Sequence, residues 1–313
     1  MHPVLTLALM LIVAATPLAA GDLITIEHEG LDRKVLVENA GDEPRPLIVF
    51  LHSYRNEQRQ QRLIDSNYQN LSWPKLDALA RERGYAVAYP SSLNGRWAVA
   101  PLTEQTQHPE SGAEIDDLSF VHKAIDRLIT DGTAKEDEIY LIGRSNGAKL
   151  AFHFVCEPNH RFAAFVTLVA SIQEHVALDC APKAVPFMAL AGTNDRILGY
   201  DGWVYPGGRN LSVPETMHIF VKAHGCEGQS WHELPDTVPE DNSKVRLVWW
   251  RECDTPDGSL RLLRVEGAGH TIPRPELGNP DWVKKAGGQN QDIDTAEHII
   301  EFFAGTAELP THN

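Results

Sequence analysis

The chain has 313 residues, of which 42% are hydrophobic, and this is enough for one large core or two modest ones. Its formal net charge of −15 argues against nucleic acid or an anionic membrane surface as a partner. The acidic residues are spread along the chain rather than gathered in blocks, so we expect a soluble acidic surface and a neutral substrate.

Residues Val4 to Ala15 form an apolar run that is too short to span a bilayer. Small residues follow the run up to Ala20, which is typical of a secretory signal peptide. No Lys or Arg precedes the run, so a retained N-terminal anchor is the alternative. We therefore predict a signal peptide at residues 1–20 and a single catalytic domain at residues 21–313, in a secreted or periplasmic protein.

Strand-like and helix-like segments alternate along the rest of the chain. Two short segments on either side of Glu29-Gly30-Leu31-Asp32 predict a leading antiparallel hairpin. Continuous apolar runs predict buried strands at 46–51, 85–89, 139–142, 165–169, 187–191 and 260–265. Helical spacing predicts helices at 71–83, 115–129, 148–155, 211–224 and 294–304. This alternation indicates an α/β fold with a doubly wound, mostly parallel sheet in one domain.

The predicted central strand, 139–142, runs into Gly143-Arg144-Ser145-Asn146-Gly147, and a helix follows. A Gly-x-Ser-x-Gly between a strand and a helix is typical of a nucleophile elbow, whose strain holds the Ser145 hydroxyl out at the carboxyl edge of the sheet. The glycines are needed because the turn is too tight for side chains on its flanks. A plain glycine turn with a capping serine is the alternative, and partner residues elsewhere must decide between the two.

A serine hydroxyl needs a base to activate it, and the base needs a carboxylate to fix its tautomer. Because the order in elbow proteins is Ser, then Asp or Glu, then His, the base must follow Ser145. His270 lies in a glycine-rich loop directly after the last predicted strand, which makes it the leading candidate. Other histidines lie on predicted helices and are interpreted as packed or surface residues, namely His153, His218, His224 and His298.

Asp195 follows the strand 187–191 and is the leading candidate for the acid. Asp201 is the alternative, but it lies further into the loop in a Tyr-Asp-Gly turn, where aspartate is common for backbone reasons. Asp179 precedes the strand and therefore lies at the wrong edge of the sheet.

An oxyanion hole needs two backbone N–H groups directed at the developing negative charge. One should come from Asn146, and the other from Ser53 or Tyr54 in the loop after His52. Four aromatic residues are candidates to line the acyl site, with ordinary core or loop packing as the alternative for each: Tyr54, Trp97, Tyr200 and Trp203.

The chain has four cysteines, which fits an oxidising compartment and allows three disulfide connectivities. They are Cys156, Cys180, Cys226 and Cys253. No two of them have the close spacing of a zinc site, so we expect no metal.

On these residues the chain resembles the secreted polyhydroxybutyrate depolymerase and feruloyl esterase-like group of α/β-hydrolases. The resemblance covers nearly the whole chain after residue 20, and the matching segments are 51–52, 89–90, 116–117, 143–147, 192–195, 200–202, 267–271 and 292–294. It implies an α/β-hydrolase fold and ester cleavage through an acyl-enzyme, without a metal or organic cofactor. It also implies that Ser145, Asp195 and His270 are nucleophile, acid and base, and that the disulfides are sequential, Cys156–Cys180 and Cys226–Cys253.

Three positions depart from the pattern of that group, and all three bear on the substrate. Ser53 stands where a glycine is usual, and we expect its side chain to narrow the acyl pocket. Ile272 stands where a tryptophan is usual, and Arg144 brings a charge to an elbow position that is often apolar. The expected substrates are small or oligomeric esters of the feruloyl or hydroxycinnamoyl, acetyl or hydroxyalkanoate type.

Two other functions are compatible with such a chain. A serine peptidase of the same fold is one, but no propeller or cap domain is visible in the sequence. A non-catalytic binding protein on the hydrolase fold is the other, but such a protein has no use for Ser, Asp and His at three separate strand ends. A serine esterase is therefore the leading prediction.

Overall fold

A ten-stranded sheet forms the centre of the fold. The computed structural model describes residues 21–99, 106–108, 110–112, 114–205, 208–305 and 309, and the predicted signal peptide lies outside these residues. The strands of the sheet are β1 (Asp22–His28), β2 (Leu31–Glu38), β3 (Arg45–Leu51), β4 (Ala86–Pro90), β5 (Ala134–Arg144), β6 (Ala164–Leu168), β7 (Phe187–Gly192), β10 (Gly228–Glu233), β11 (Lys244–Arg251) and β12 (Leu260–Glu266). Two short strands, β8 (Trp203–Tyr205) and β9 (Gly208–Asn210), pair separately.

The strand order across the sheet is β1-β2-β4-β3-β5-β6-β7-β12-β11-β10. The six strands from β4 to β12 are parallel to one another, and antiparallel pairs extend both edges. The predicted mostly parallel sheet with a leading antiparallel hairpin is therefore confirmed. The antiparallel strands β10 and β11 at the other edge were not predicted.

Helices cover both faces of the sheet. They are α1 (Glu57–Asp65), α2 (Pro74–Glu82), α3 (Asp117–Thr130), α4 (Asn146–Cys156), α5 (Glu174–Leu178), α6 (Val213–Ala223), α7 (Pro280–Ala286) and α8 (Thr295–Phe303). Three of these, α1, α5 and α7, were not predicted. The helix predicted from residue 71 begins instead at Pro74, because a proline at the first helical position has a preset φ and needs no N–H partner.

Two clusters of buried apolar side chains lie on the two faces of the sheet, and β3 contributes residues to each of them. Leu47, Val49 and Leu51 belong to the cluster under α3, α4 and α6. Ile48 and Phe50 belong to the cluster under α2 and α8. Because successive side chains in a strand point to opposite faces, this continuous apolar run needs a cover on each side.

The start of α3 is fixed by two neighbouring aspartates. Asp116 caps the helix by accepting a hydrogen bond from the Ser119 N–H, at 2.9 Å. Asp117 is buried and pairs with the equally buried Arg33 of β2, at 2.6 Å. Its second oxygen accepts a hydrogen bond from the Ala98 N–H at 2.7 Å, so this ion pair also holds the loop that follows β4.

The four cysteines form two disulfides in the structure, Cys156–Cys180 and Cys226–Cys253. The first ties the end of α4 to the segment after α5, and the second ties the segment after α6 to the segment after β11. Among the described residues, no helix is both long enough and apolar enough to cross a membrane.

Candidate active site

Ser145 lies between the end of β5 and the start of α4, with φ 53° and ψ −114°. A positive φ is unusual for a residue other than glycine and stores strain that the surrounding structure must hold. The backbone holds it on both sides: the Ser145 N–H donates to the Leu168 carbonyl at 2.8 Å, and its own carbonyl accepts from Ala148 and Lys149.

The glycines of the elbow are required by close backbone approaches rather than by their φ values. A Cβ at Gly143 would lie 2.5 Å from the Cα of Ala148. A Cβ at Gly147 would overlap the carbonyl oxygen of Leu51 and lie 2.6 Å from that of His52. The helix after the nucleophile can therefore sit against the end of β3 only if residue 147 has no side chain.

Ser145, His270 and Asp195 form one line of hydrogen bonds. The Nε2 of His270 lies 2.8 Å from the Ser145 hydroxyl, and its Nδ1 lies 2.7 Å from the Oδ2 of Asp195. The other oxygen of Asp195 accepts hydrogen bonds from the N–H groups of Ile197 and Leu198, at 2.7 and 2.8 Å. A carboxylate of Asp195 can only accept a hydrogen bond, so the proton of a neutral His270 ring is on Nδ1. The unprotonated Nε2 then faces the Ser145 hydroxyl, in the arrangement that a base needs.

The histidine and carboxylate of this line are shielded from water, with side chains 7% and 6% exposed. Asp201, the alternative acid, is exposed, and within the described residues it makes no hydrogen bond to His270.

The loops that carry Asp195 and His270 are held by the segment 286–288, which consists of the last residue of α7 and the two glycines after it. The Ala286 carbonyl accepts from the His270 N–H at 3.0 Å, and the Gly287 carbonyl accepts from the Asn194 side-chain amide at 2.6 Å. Gly287 has φ 111°, and a Cβ there would overlap the Asn194 carbonyl oxygen. This segment was not predicted, although glycines that follow lysines are a signal in the sequence for the end of a helix.

His52 at the end of β3 is buried and neutral. Its Nδ1 donates to the Ser53 carbonyl at 2.7 Å, and its Nε2 accepts from the Ser92 N–H at 3.1 Å, which defines the tautomer. Burial, together with the positive charge of Arg55, lowers the pKa of His52 to about 3. The ring therefore fixes the shape of the loop after β3 and takes no part in proton transfer at neutral pH.

The three candidate donors of an oxyanion hole lie around the elbow. The N–H of Asn146 is at the first position of α4, where helical N–H groups have no intrahelical partner. Within the part of the chain that the structure describes, no hydrogen bond occupies the N–H groups of Asn146, Ser53 and Tyr54.

Trp97 does not line an acyl site, which corrects one of the sequence-based expectations. It is fully buried, and its ring lies 4.9 Å from the ring of His52. Its indole N–H donates to the His52 carbonyl and its backbone N–H to the Asn146 side-chain oxygen, both at 2.8 Å. Trp97 joins the loop after β3 to the start of α4 because both offer acceptors that must be satisfied in the core.

A cavity of about 400 Å³ opens beside the triad. Its wall includes Arg144 and Thr271, the chain neighbours of Ser145 and His270, as well as Ser53 and Ile272. All three positions that depart from the family pattern, Ser53, Arg144 and Ile272, thus border one cavity.

The remaining aromatic candidates lie outside that cavity. Tyr54 is 42% exposed, with the guanidinium of Arg96 at 5.9 Å from its ring centre. Tyr200 lines separate cavities behind Asp195 and beside α6, and Trp203 is 45% exposed on β8. The sequence could not separate these from cavity residues because aromatic loop residues pack inward or outward with no periodic signal.

A partly buried lysine flanks the nucleophile on α4. Lys149 lies 5.2 Å from the ring centre of Tyr205, and burial, aided by the positive charge of Arg96, lowers its pKa to about 8. No group of three or more His, Cys, Asp or Glu side chains that could hold a metal ion occurs among the described residues.

Comparisons with known proteins find esterases. The chain is 24% identical over 277 residues to a Nocardia uniformis subsp. tsuyamanensis protein named "Putative esterase NocK", covering 84% of this chain and 75% of that protein. It is 24% identical over 231 residues to a bifunctional acetylxylan esterase/xylanase of Neocallimastix patriciarum, covering 72% of this chain but only 29% of that protein. No family model matches the chain.

Among solved structures, the acetyl xylan esterase from Aspergillus awamori is similar with a TM-score of 0.55 and 15% identity, over 92% of this chain and all of that one. At this identity the likeness concerns the fold. The predicted α/β-hydrolase fold is therefore confirmed.

Proposed function

We propose that this chain, a carboxylic ester hydrolase with the α/β-hydrolase fold, cleaves its substrates through Ser145, His270 and Asp195. The single observation that carries the proposal is the continuous hydrogen-bonded line from the Ser145 hydroxyl through His270 to Asp195, with distances of 2.8 and 2.7 Å. A nucleophile, a base and an acid meet in the order and the distances that acyl transfer requires.

In the acylation step the Ser145 oxygen attacks the ester carbonyl while its proton passes to Nε2 of His270. The Nδ1–H of His270 stays bonded to Asp195, whose charge stabilises the imidazolium that forms. Negative charge develops on the former carbonyl oxygen, which accepts hydrogen bonds from the N–H groups of Asn146 and of Ser53 or Tyr54. The positions of these donors depend on the backbone contacts around Gly147 and Trp97.

The leaving alcohol takes the proton back from His270, and an acyl-enzyme remains on Ser145. Water then attacks the acyl group while His270 takes its proton, the bond between the acyl carbon and the Ser145 oxygen breaks, and His270 returns the proton to that oxygen as the carboxylic acid leaves. His270 handles every proton in these steps, so they run without a metal or an organic cofactor.

The proposed substrates are small or oligomeric esters rather than intact polymer. Acetyl esters come first because the Neocallimastix patriciarum relative is named an acetylxylan esterase, and feruloyl and hydroxyalkanoate esters follow from the resemblance noted above. The two disulfides support an oxidising compartment, so we propose a secreted or periplasmic enzyme with cleavage of the signal peptide near Ala20.

The test is turnover of an acetyl p-nitrophenyl ester, methyl ferulate and a hydroxybutyrate trimer by the wild-type protein and by Ser145→Ala. We expect wild type to cleave at least one of them, and the variant to retain less than about a thousandth of that rate, since it keeps only binding and oxyanion stabilisation. The melting temperature of the variant should stay close to wild type, because the hydroxyl removed is not part of the core.

Ser230→Ala, on the edge strand β10, is the matched control and should retain wild-type turnover. Residual activity of Ser145→Ala above a thousandth would contradict the assignment. Cleavage of amides faster than esters would indicate a peptidase, and affinity without turnover would indicate a binding protein.

A further inference from the structure

The cavity beside Ser145 has a positively charged wall, although the protein as a whole carries a net charge of −15. Arg55, Arg144 and Arg274 line it. A fourth arginine, Arg59, holds its guanidinium 5.8 Å from the ring centre of Trp282, another lining residue. Arg144 immediately precedes Ser145 in the chain, so one of these charges is carried by the residue next to the proposed nucleophile.

These four arginines have no carboxylate partner among the described residues. Arg55 and Arg274 donate only to backbone carbonyls, those of Asn70 and Glu276, and the Nε of Arg55 is buried without any acceptor. Seven arginines elsewhere in the described chain are paired with Asp or Glu, namely Arg33, Arg127, Arg161, Arg209, Arg246, Arg251 and Arg264. Others, such as Arg45 and Arg196, donate to backbone carbonyls from half-buried or exposed positions. The arginines beside Ser145 differ in that three of them line one cavity and that Arg55 has a buried Nε without an acceptor.

Mutual repulsion and burial disfavour this arrangement in the empty site. Burial, with the positive charges of Arg274, Arg55 and Arg59, lowers the pKa of Arg144 to about 10, and burial together with Arg59 lowers that of Arg55 to about 10. Both groups remain protonated at neutral pH. A bound anion would offset the repulsion and supply the missing acceptor.

We propose that this cavity binds a carboxylate carried by the ester substrate, so that the preferred substrates are half-esters of dicarboxylic acids or esters of hydroxy acids with a free carboxyl end. The planar donor fork of a guanidinium matches a carboxylate in two parallel hydrogen bonds. Phe50, Trp73 and Trp282 supply apolar walls for the carbon chain between the carboxylate and the scissile ester. This inference rests on the proposed esterase function and replaces the neutral substrate expected from net charge.

The overall negative charge does not prevent such binding. Charges on the surface are screened over a Debye length of about 8 Å at physiological ionic strength. A carboxylate in direct contact with a guanidinium interacts at a much shorter distance and in a lower effective dielectric constant than water, so this attraction is screened far less. Arg274 also lines a separate cavity that contains Glu276, Asp292, Asp294 and Glu297. No Asp or Glu is among the described residues that line the cavity beside Ser145, so a substrate carboxylate inside it would meet arginines and no carboxylate.

The experiment compares matched ester pairs that differ only in one charge. Monomethyl glutarate and dimethyl glutarate place the carboxylate on the acyl side, whereas 4-acetoxybutyrate and its methyl ester place it on the alcohol side. We expect kcat/KM for one anionic member to exceed that of its neutral twin by tenfold or more, and the ratio to fall as salt is raised. In Arg144→Gln and in Arg274→Gln the ratio should fall at least tenfold, whereas in Arg161→Gln, a surface arginine paired with Asp126, it should stay at the wild-type value.

Binding to Ser145→Ala, measured by titration calorimetry with the same esters, keeps the test independent of turnover. Tighter binding of an anionic member by tenfold or more supports the proposal even if hydrolysis is slow. If the two neutral esters bind and react as well as the two anionic esters, the proposal of a carboxylate site is wrong, whereas the proposed esterase function still holds. If Ser145→Ala cleaves the esters as fast as wild type does, the proposed function through Ser145 is itself wrong.

Discussion

The two sides of the candidate active site are supported by different parts of the chain. The serine side consists of the elbow 143–147 and the loop after β3. There Gly147, which has no side chain, lets the helix α4 approach the end of β3, and Trp97 donates hydrogen bonds to Asn146 and to His52. The histidine side consists of the loops that carry Asp195 and His270. These loops donate hydrogen bonds to carbonyls of the segment 286–288, at the end of the seven-residue helix α7. The serine side thus depends mainly on a contiguous motif, and the histidine side on a distant backbone segment.

Because of this difference, substitutions on the two sides should have different effects on folding and on catalysis. On the serine side the contacts are made by α4 and β3, two regular elements packed in the core. On the histidine side they are made between loops, where backbone carbonyls accept from His270 and Asn194. We expect changes on the first side to disturb folding and chemistry together, and changes on the second to act mainly on chemistry.

The largest effect is expected from Gly147→Ala on the serine side. Alanine is favoured over glycine inside a helix by about 1 kcal/mol, yet here its Cβ would overlap the Leu51 carbonyl and push the loop after β3 away from Ser145. Displaced oxyanion donors typically cost a factor of about 100 or more in kcat, and we expect at least that loss along with a lower free energy of unfolding. Steady-state kinetics and chemical denaturation measure the two effects.

Gly41→Ala is the control for this change. Gly41 also has an ordinary φ, but its Cβ would meet only the far end of the flexible Arg45 side chain. This variant should keep wild-type kinetics. Similar kinetics in Gly147→Ala would mean that the loop after β3 does not contribute to the reaction.

Much of the fold, and the meeting of Ser145, Asp195 and His270, could be predicted from the sequence because the relevant signals are local. The buried parallel strands are continuous apolar runs, and their carboxyl ends meet at one edge, so residues following them, such as Asp195 and His270, could be expected to meet Ser145. The strand β10 could not be recognised in the same way, because most of its residues are exposed and polar. The seven-residue helix α7 is too short to show a period.

The supports of the site were harder to predict, because they depend on where loops run. Trp97 was expected to line the acyl site, but it lies in the core because the loop after β4 is drawn inward by the hydrogen bond from Ala98 to Asp117. Arg144 was noticed as a charge beside the nucleophile, whereas Arg55 and Arg274 join it from loops distant in sequence. No spacing rule brings such residues together.

An intermediate effect is expected from Gly287→Ala on the histidine side. Its Cβ would overlap the Asn194 carbonyl, which moves the loop of Asp195 relative to His270. We expect kcat to fall by about ten- to a hundredfold, because a displacement of about 1 Å at a reacting group can cost that much. The free energy of unfolding should fall by less than in Gly147→Ala, since no core element is displaced.

Gly84→Ala isolates the contribution of backbone strain. Gly84 has φ 78° and open space around its Cβ position, so alanine there also meets a penalty for positive φ, but without the overlap found at Gly287. It should lose roughly 1 kcal/mol of stability and no activity. Equal kinetics in the two variants would mean that the segment 286–288 does not position the triad.

The smallest effect is expected from Trp97→Phe, which tests the support between the two elements of the serine side. Phenylalanine keeps an aromatic ring beside His52 but removes the indole N–H, so a buried carbonyl loses its partner, which costs about 1–3 kcal/mol of stability. We expect kcat to fall up to about tenfold with little change in KM, because a small displacement of the loop weakens the oxyanion donors rather than substrate binding. If Trp97 instead bordered the acyl group, KM would change with the size of that group and kcat would not. Trp231→Phe, at a site 60% exposed on β10, is the matched control and should change neither the kinetics nor the stability.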